Sequence, residues 1–292
     1  GGNGGGSVII QATSGVAVNG GIHADGGNGD RAGAGAGGSV NITCDSLSGT
    51  GTITAVGGNT TNGNSSGGGG GGRIAVKGFQ LIEGSYSAGS AHIGFDTRGG
   101  DAVYDGAAGT VFLKNVAQAH GTLIIDNRNV VSAMKTELIA VPVGAVSEVG
   151  DKTLTDFDGF FPVDYYVDTV VNVFPDIAGG TIVGEPLYTV ASNSVSTLTF
   201  VEGGVDQVAQ PGEGYRGLVG IFDEVEIRGK AHVSSLGDIL IHSGDVHSGD
   251  TATFEVEPGS DLTVQWLDLP NASVASIIGD ITAEILTCLN CP

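Results

Sequence analysis

Gly6-Ser7-Val8-Ile9-Ile10, Gly38-Ser39-Val40-Asn41-Ile42, Gly72-Arg73-Ile74-Ala75-Val76 and Gly109-Thr110-Val111-Phe112-Leu113 are one motif written four times, at steps of 32, 34 and 37 residues. A second motif keeps pace with it. Gly21-Ile22-His23-Ala24-Asp25-Gly26-Gly27-Asn28 returns 31 residues later as Thr52-Ile53-Thr54-Ala55-Val56-Gly57-Gly58-Asn59. Self-similarity at such a period marks a stacked solenoid, in which each unit buries its apolar face only against its neighbours.

Each unit reads as a short β run, a turn, a second β run and a loop of Gly, Asn and Ser. Val8–Ile10, Val16–Val18, Val40–Ile42, Ile74–Val76 and Val111–Leu113 are the expected strand cores, because β-branched side chains suit a pleated surface. The loops at 26–38, 57–72 and 99–109 are glycine-rich and recur at the same point of every unit. Ordering glycine in regular structure costs roughly 0.5–1 kcal/mol more than ordering alanine. The run Gly67, Gly68, Gly69, Gly70, Gly71, Gly72 therefore has to pack closely, against neighbouring glycine loops or against another molecule. The expectation is a ledge of stacked loops along one side of the solenoid, serving as an assembly surface.

The pattern changes downstream. Residues 1–130 are the glycine-rich repeats, and 131–149 read as a connector of extended character. Residues 150–215 read as an inserted β subdomain rich in aromatic residues and Asp. Coils are expected to resume over 216–269, and 270–292 form a capping or connecting tail. Six of the 17 aromatic residues, Phe157, Phe160, Phe161, Tyr165, Tyr166 and Phe174, fall within 18 positions and alternate with aspartates. That composition suits stacking on sugars or on a partner, and equally the private core of a small domain. Strands are expected at 181–183, 187–190 and 197–201.

The repeats resemble the glycine-rich β-helix repeats of very large secreted and cell-surface proteins of bacteria and archaea. Tyr215-Arg216-Gly217-Leu218 and Phe222-Asp223-Glu224-Val225-Glu226-Ile227-Arg228-Gly229 are similar to stretches that follow such repeats. The resemblance implies an all-β fold, a right-handed parallel β-helix, and an extracellular scaffold, adhesin or fibre. It carries no catalytic residues.

Composition narrows the partners. Eleven Lys and Arg stand against 32 Asp and Glu, a net charge of −21. So acidic a chain lacks the basic patches that nucleic acid or an anionic membrane surface demands. No segment approaches the roughly 20 apolar residues of a membrane-spanning helix. The chain starts Gly-Gly-Asn and reads as a processed piece of a longer protein. Three cysteines, Cys44, Cys288 and Cys291, are too few for a disulfide framework. The lone Cys288-Leu289-Asn290-Cys291 lacks half the ligands of a structural zinc site.

Several constellations are candidate sites. His242-Ser243-Gly244-Asp245-Val246-His247-Ser248-Gly249-Asp250 is a tandem repeat whose His242, Asp245 and His247 fit a transition metal, although Ser-Gly-Asp is also ordinary turn chemistry. Asp156-Phe157-Asp158-Gly159 resembles part of a calcium loop, with Leu154 where the first Asp belongs and Tyr165 where the closing Glu belongs. No cofactor is expected, beyond weak calcium binding at acidic turns such as Asp156 and Asp158. No catalytic residues are assigned. Asp223, Glu224, Asp238 and Asp245 are the acids a β-helix polysaccharide lyase or hydrolase would use, but carboxylate pairs are cheap in so acidic a chain. The reading is an extracellular structural protein at the cell surface that associates with itself or with the rest of a longer chain. Its alternatives are an adhesin for surface glycans acting through residues 157–174, and the β-helix enzyme.

Overall fold

The computed structural model describes residues 1–61, 66–174, 186–235, 238–248, 253–256, 261–270 and 280–289. The chain is mostly β, with stacked parallel sheets forming a β-solenoid of about three turns. Three strands make each coil. In the first they are β1 (Ser7–Gln11), β2 (Gly15–Ala17) and β3 (Gly21–His23). In the second they are β4 (Ser39–Thr43), β5 (Ser46–Ser48) and β6 (Thr52–Thr54). In the third they are β7 (Arg73–Phe79), β8 (Leu81–Ile82) and β9 (Phe95–Asp96), and β10 (Thr110–Asn115) opens the next coil.

The repeats are in register on every wall. Val8, Val40, Ile74 and Val111 stack in one row and Ile10, Ile42, Val76 and Leu113 in another, all through parallel pairs. Val16, Leu47 and Ile82 make a row on the second wall, and Ile22, Ile53 and Phe95 on the third. Successive strand side chains point to opposite faces. Val40 and Ile42 are therefore buried while Ser39, Asn41 and Thr43 face outward or lie at the rim. Ile42, Leu47, Ile53 and Val76 are fully enclosed. Each such side chain contributes about 1.5–3 kcal/mol relative to an exposed one.

The glycine loops form the fourth side, where the described arms stack on one another. The arm entering each coil and the arm leaving it interlock through their backbones. Gly27 N–H donates to Asn3 O at 2.7 Å, Gly35 to Gly27 at 2.9 Å, Gly58 to Gly35 at 2.9 Å, Gly69 to Gly58 at 2.9 Å, Gly100 to Gly69 at 2.8 Å and Gly106 to Gly100 at 2.9 Å. One zigzag of hydrogen bonds thus climbs the solenoid from arm to arm. A second links Gly38 to Ala24, Gly72 to Ala55 and Gly109 to Thr97. The interior of this side is backbone packed on backbone, with no room for Cβ. A methyl at Gly69 would overlap the carbonyl of Gly35, its carbon 2.5 Å away, and meet Gly58 N at 3.0 Å. A methyl at Gly70 would find nothing nearer than Ala107 O at 4.0 Å. The crowded and open positions recur at three-residue intervals, the period of the extended left-handed helix that collagen also packs around glycine. None of these crowded arm glycines has positive φ. Glycine is there for close approach and not for its backbone freedom.

At Gly121, with φ +91°, the chain reverses, and β11 (Thr122–Asp126) pairs antiparallel with β10. β11 also starts a second parallel stack with β20 (Glu224–Arg228). β12 (Thr136–Leu138) lies beside β21 (His232–Ser235), and β21 beside β23 (Thr253–Val256). Between these segments come β13 (Gly144–Ala145), β14 (Glu148–Gly150), β15 (Thr153–Thr155), β16 (Val170–Phe174), β17 (Leu187–Asn193), β18 (Thr197–Phe200), the one-turn α1 (Val205–Val208) and β19 (Gly214–Phe222). All but β19 pair only antiparallel, and β19 joins them to the stack. Their own core holds Leu154, Phe161, Tyr166, Val171, Tyr188, Leu198, Phe200 and Tyr215. β22 (Asp238–Ser248) pairs β19 with its first half and β20 with its second, and β24 (Asp261–Pro270) and β25 (Asp280–Leu289) continue the sheet.

Two expectations need comment. His242 through Ser248, whose Ser-Gly-Asp is ordinary turn chemistry, runs as strand β22, with an irregularity between Ile241 and Asp245 that takes up His242, Ser243 and Gly244. Pairing with three neighbouring strands outweighs the local turn preference. The strand expected at 181–183 lies outside the described residues.

A cluster of arginines locks the first stack to the second. The third coil carries two single-turn helices, Gly84–Tyr86 and Ala88–Ser90, followed by Ala91 and His92 in left-handed conformation at φ +50° and +53°. Arg228 holds this bend by donating to Ala91 O at 2.8 Å, Glu226 Oε2 at 2.8 Å and Asp126 Oδ2 at 3.1 Å. Arg128 donates to the carbonyls of Ile93 and Phe95. His92 is buried, its Nδ1 2.5 Å from Tyr86 O. Burial lowers its pKa, against the opposing pull of that carbonyl.

Candidate functional site

The aromatic cluster divides in two. Phe161 and Tyr166 are core residues, packed edge to face at 6.0 Å, with Tyr215 on the other side of Phe161. Phe157 and Phe160 stand out in solvent, 64% and 75% exposed, and Tyr165 is half exposed with its ring edge-on to Tyr166. The side chain of Phe174 lies outside what the structure describes.

Asp156 holds a turn. It is buried, its Oδ1 accepts from Asp158 N at 3.0 Å and Gly159 N at 2.9 Å, and its Oδ2 accepts from Tyr215 OH at 2.7 Å. The pattern Asp-x-Asp-Gly builds a turn that anchors the loop to the core. Burial first, then the bond to Asp156, raises the Tyr215 pKa far above that of an ordinary phenol. Asp223 is spent in the same way, its Oδ2 holding His120 N and Gly121 N at the chain reversal. Among the described residues no group of three or more His, Cys, Asp and Glu comes together to hold a metal ion. The backbone of His242, Asp245 and His247 belongs to β22, and their side chains lie outside the description. Cys44 is a buried free thiol in the solenoid core.

Of the glycine run, Gly69 and Gly72 are buried and Gly67, Gly68, Gly70 and Gly71 are half buried. Gly68 N donates to Tyr104 O and Gly71 N to Ala107 O, while Gly67 O and Gly70 O accept from Ala34 and Gly37. Neighbouring coils of the same chain thus supply the close packing that the run demands.

What the sequence did not announce is a cleft of about 580 Å³ where the glycine arms, the second stack and the aromatic loop meet. Gly70–Arg73 and Ala107–Thr110 form one wall and Lys135 through Ile139 another; Tyr165, Val167, Asp168 and Thr169 face them, and Leu123, Val219 and Phe222 add apolar surface. The volume lies within the roughly 300–1,000 Å³ typical of ligand sites. Arg73 and Lys135 balance Glu137 and Asp168, so the cleft is near neutral in a strongly acidic chain. Among the described side chains, Tyr165 is the only one of the expected aromatic site that reaches it. The other lining residues come from separate segments between Gly70 and Phe222, and no local motif could have joined them.

No protein-family model matches the chain, and a search of the curated proteins finds no match. No helix among the described residues is long and apolar enough to cross a membrane.

Proposed function

We propose that this chain is a non-enzymatic structural segment of an extracellular fibre, filament or sheath at the cell surface, which associates with itself or with further coils of its own kind. The observation that carries this reading is the interlocked glycine arms. Their hydrogen bonds run from one coil to the next, so the coils are joined on the loop side as well as on the three strand walls. A stack tied on all four sides suits bearing load better than moving around a substrate. The carboxylates of Asp156 and Asp223 hold turns together, in keeping with a scaffold. The test is negative-stain electron microscopy of the purified chain over a range of concentrations, with and without calcium. Filaments or sheets that grow with concentration are the expected result. Isolated short rods under every condition would overturn self-association.

Exposed Phe157 and Phe160 support a second reading, an adhesin for surface glycans through the aromatic loop. Glycan binding lost in Phe157→Ala with Phe160→Ala, at unchanged circular dichroism, would favour it. Unaltered glycan binding by that double variant would remove it.

A further inference from the structure

We infer that the open end of the first coil is a dimer interface, on which a second copy of this chain packs end to end about a two-fold axis at Ile9. The inference deepens the self-association reading, on which it rests, by naming the surface.

β1, β2 and β3 are end strands of their three sheets, and among the described residues each has one strand partner, β4, β5 and β6 respectively. The inward side chains of this coil, Val8, Ile10, Ala12, Val16 and Ile22, are only partly buried. Their counterparts one coil up, Val40, Ile42, Cys44, Leu47 and Ile53, are all enclosed, at 2% exposure or less. Sheets that end in water are blunted by charge, by proline or by a bulge. Residues 1–24 hold no Asp, Glu, Lys, Arg or Pro, and β1 pairs with β4 without a register shift.

Two glycines of this coil point the same way. A methyl at Gly38, Gly72 or Gly109 would overlap the carbonyl of Gly6, Gly38 or Gly72 in the coil before. A methyl at Gly51 would overlap Gly20 O and meet Val18 O at 2.7 Å. Gly6 and Gly20 hold the same positions in the first coil, where a methyl would find nothing within 4 Å, and neither has positive φ. Glycine there leaves room for a backbone that arrives from outside.

A further coil of the same kind, laid parallel, does not fit this end. Asn3 stands where Gly35, Gly69 and Gly106 stand in the coils above, and a Cβ at each of those positions overlaps a carbonyl of the arm beneath. Each arm enters at the start of its coil, so a copy whose β1 runs the other way carries its arm to the side away from Asn3. The stack already closes in that manner at its other end, where β10 pairs antiparallel with β11. Ser39 N donates to Gly6 O and Ala12 N to Thr43 O. Alternation along the ladder therefore engages Val8 and Ile10 with β4 and turns the N–H and C=O of Ser7, Ile9 and Gln11 to the open side. An antiparallel register centred on Ile9 sets Ile9 opposite Ile9 of the second copy, in a pair that exchanges both hydrogen bonds, and Val8 opposite Ile10 on the inward face. Ile9 is 70% exposed, whereas Asn41 and Ala75 succeed it up the wall, and the second copy covers this apolar side chain along with the inward row. Such a contact is self-complementary, as a two-fold interface has to be. Charge selects the same end. At a net charge of −21 two copies repel each other, and residues 1–24 carry none of those carboxylates.

The test is sedimentation velocity on the full chain over a range of concentrations. A monomer–dimer equilibrium is expected. Ile9→Lys sets two like charges against each other at the axis and should weaken the dimer about 100-fold. Circular dichroism should stay unchanged, because the side chain of Ile9 is exposed in the single chain. Ile9→Glu should act in the same way. Mixed together, the two variants should dimerise again, since opposite charges then meet across the axis. Three results would overturn the inference: a parent chain that stays monomeric up to about 1 mM, an Ile9→Lys chain that dimerises as the parent does, or a mixture of the two variants that stays monomeric. Electron microscopy separates this inference from the filament reading. Filaments undiminished in Ile9→Lys would overturn the interface and leave self-assembly standing. Parent dimers that Ile9→Lys abolishes, with no filaments at any concentration, would support the interface and remove the filament.

Discussion

Adjacent glycines in one homopolymeric run should respond to the same substitution in opposite directions. In Gly69→Ala the new methyl overlaps the Gly35 carbonyl, with Gly35 C at 2.5 Å and Gly58 N at 3.0 Å, and all of these neighbours are backbone. Carbon atoms in contact prefer about 3.5–4.0 Å. The arms must therefore part by about 1 Å, and no side chain can rotate away to spare them. Overpacking alone costs about 1–3 kcal/mol. The displacement also stretches the bonds Gly69→Gly58 at 2.9 Å and Gly100→Gly69 at 2.8 Å. At about 1 kcal/mol each, these bring the expected loss to about 3–5 kcal/mol. Gly70→Ala adds its methyl to open space, 4.0 Å from Ala107 O, at a residue without positive φ. It restricts the unfolded chain and should stabilise by about 0.4–1 kcal/mol. Urea unfolding followed by far-ultraviolet circular dichroism measures both variants against the parent chain. If the two variants fall within about 0.5 kcal/mol of each other, glycine serves these arms through chain flexibility and the close-packing argument is wrong.

Four further outcomes follow from the geometry. Tyr215→Phe removes the phenol that donates to buried Asp156 Oδ2 and should cost about 1–3 kcal/mol in urea unfolding, the penalty of an unmatched buried acceptor. Because the Tyr215 pKa is raised in the folded state, its contribution is complete below the ordinary phenol value of about 10 and fades at higher pH, so the parent chain should lose stability in alkali and Tyr215→Phe should lose less. His92, whose folded pKa is lowered by burial, acts from the acid side: stability is full above about pH 6.5 and falls as the unfolded imidazole takes up its proton, and His92→Gln should flatten melting temperature between pH 7 and 5. Burial, aided by Asp45, raises the Cys44 pKa, so peptide mapping after iodoacetamide should find Cys44 unmodified in the native protein and modified in urea. Arg228→Lys keeps the charge but cannot reach Asp126, Glu226 and Ala91 O together, and limited proteolysis should then cut first at residues 84–95.

Much of the solenoid was legible because its physics is local and repeated. A strand such as Ser39–Thr43 buries every second residue, so Val40 and Ile42 announce a wall, and recurrence of the same pair at Ile74 and Val76 announces the stack. Other features were not legible because they depend on partners remote in the chain. His242–Ser248 carries turn residues yet runs as a strand, because β19, β20 and β24 are there to pair with it. Phe161 and Phe160 are neighbours of equal hydrophobicity, but one meets Tyr166 and Tyr215 in a core and the other meets solvent. Asp156 has the spacing of half a calcium loop, and nothing near it in the chain shows that Tyr215, 59 positions away, donates to its second oxygen.

By itself the sequence determined the period, the strand walls and the place of the glycine loops, since each follows from spacing within about 35 residues. Only the tertiary structure decided what the glycines are for. Gly67 through Gly72 are chemically identical, and nothing in their order separates the two that are buried from the four that are not. That distinction arises when one arm is laid between two others, where two of every three glycines come to face a backbone carbonyl and only Gly67 and Gly70 stay open. The cleft has the same origin, for Gly70, Glu137 and Tyr165 line one cavity only once the two stacks and the aromatic loop are folded against one another.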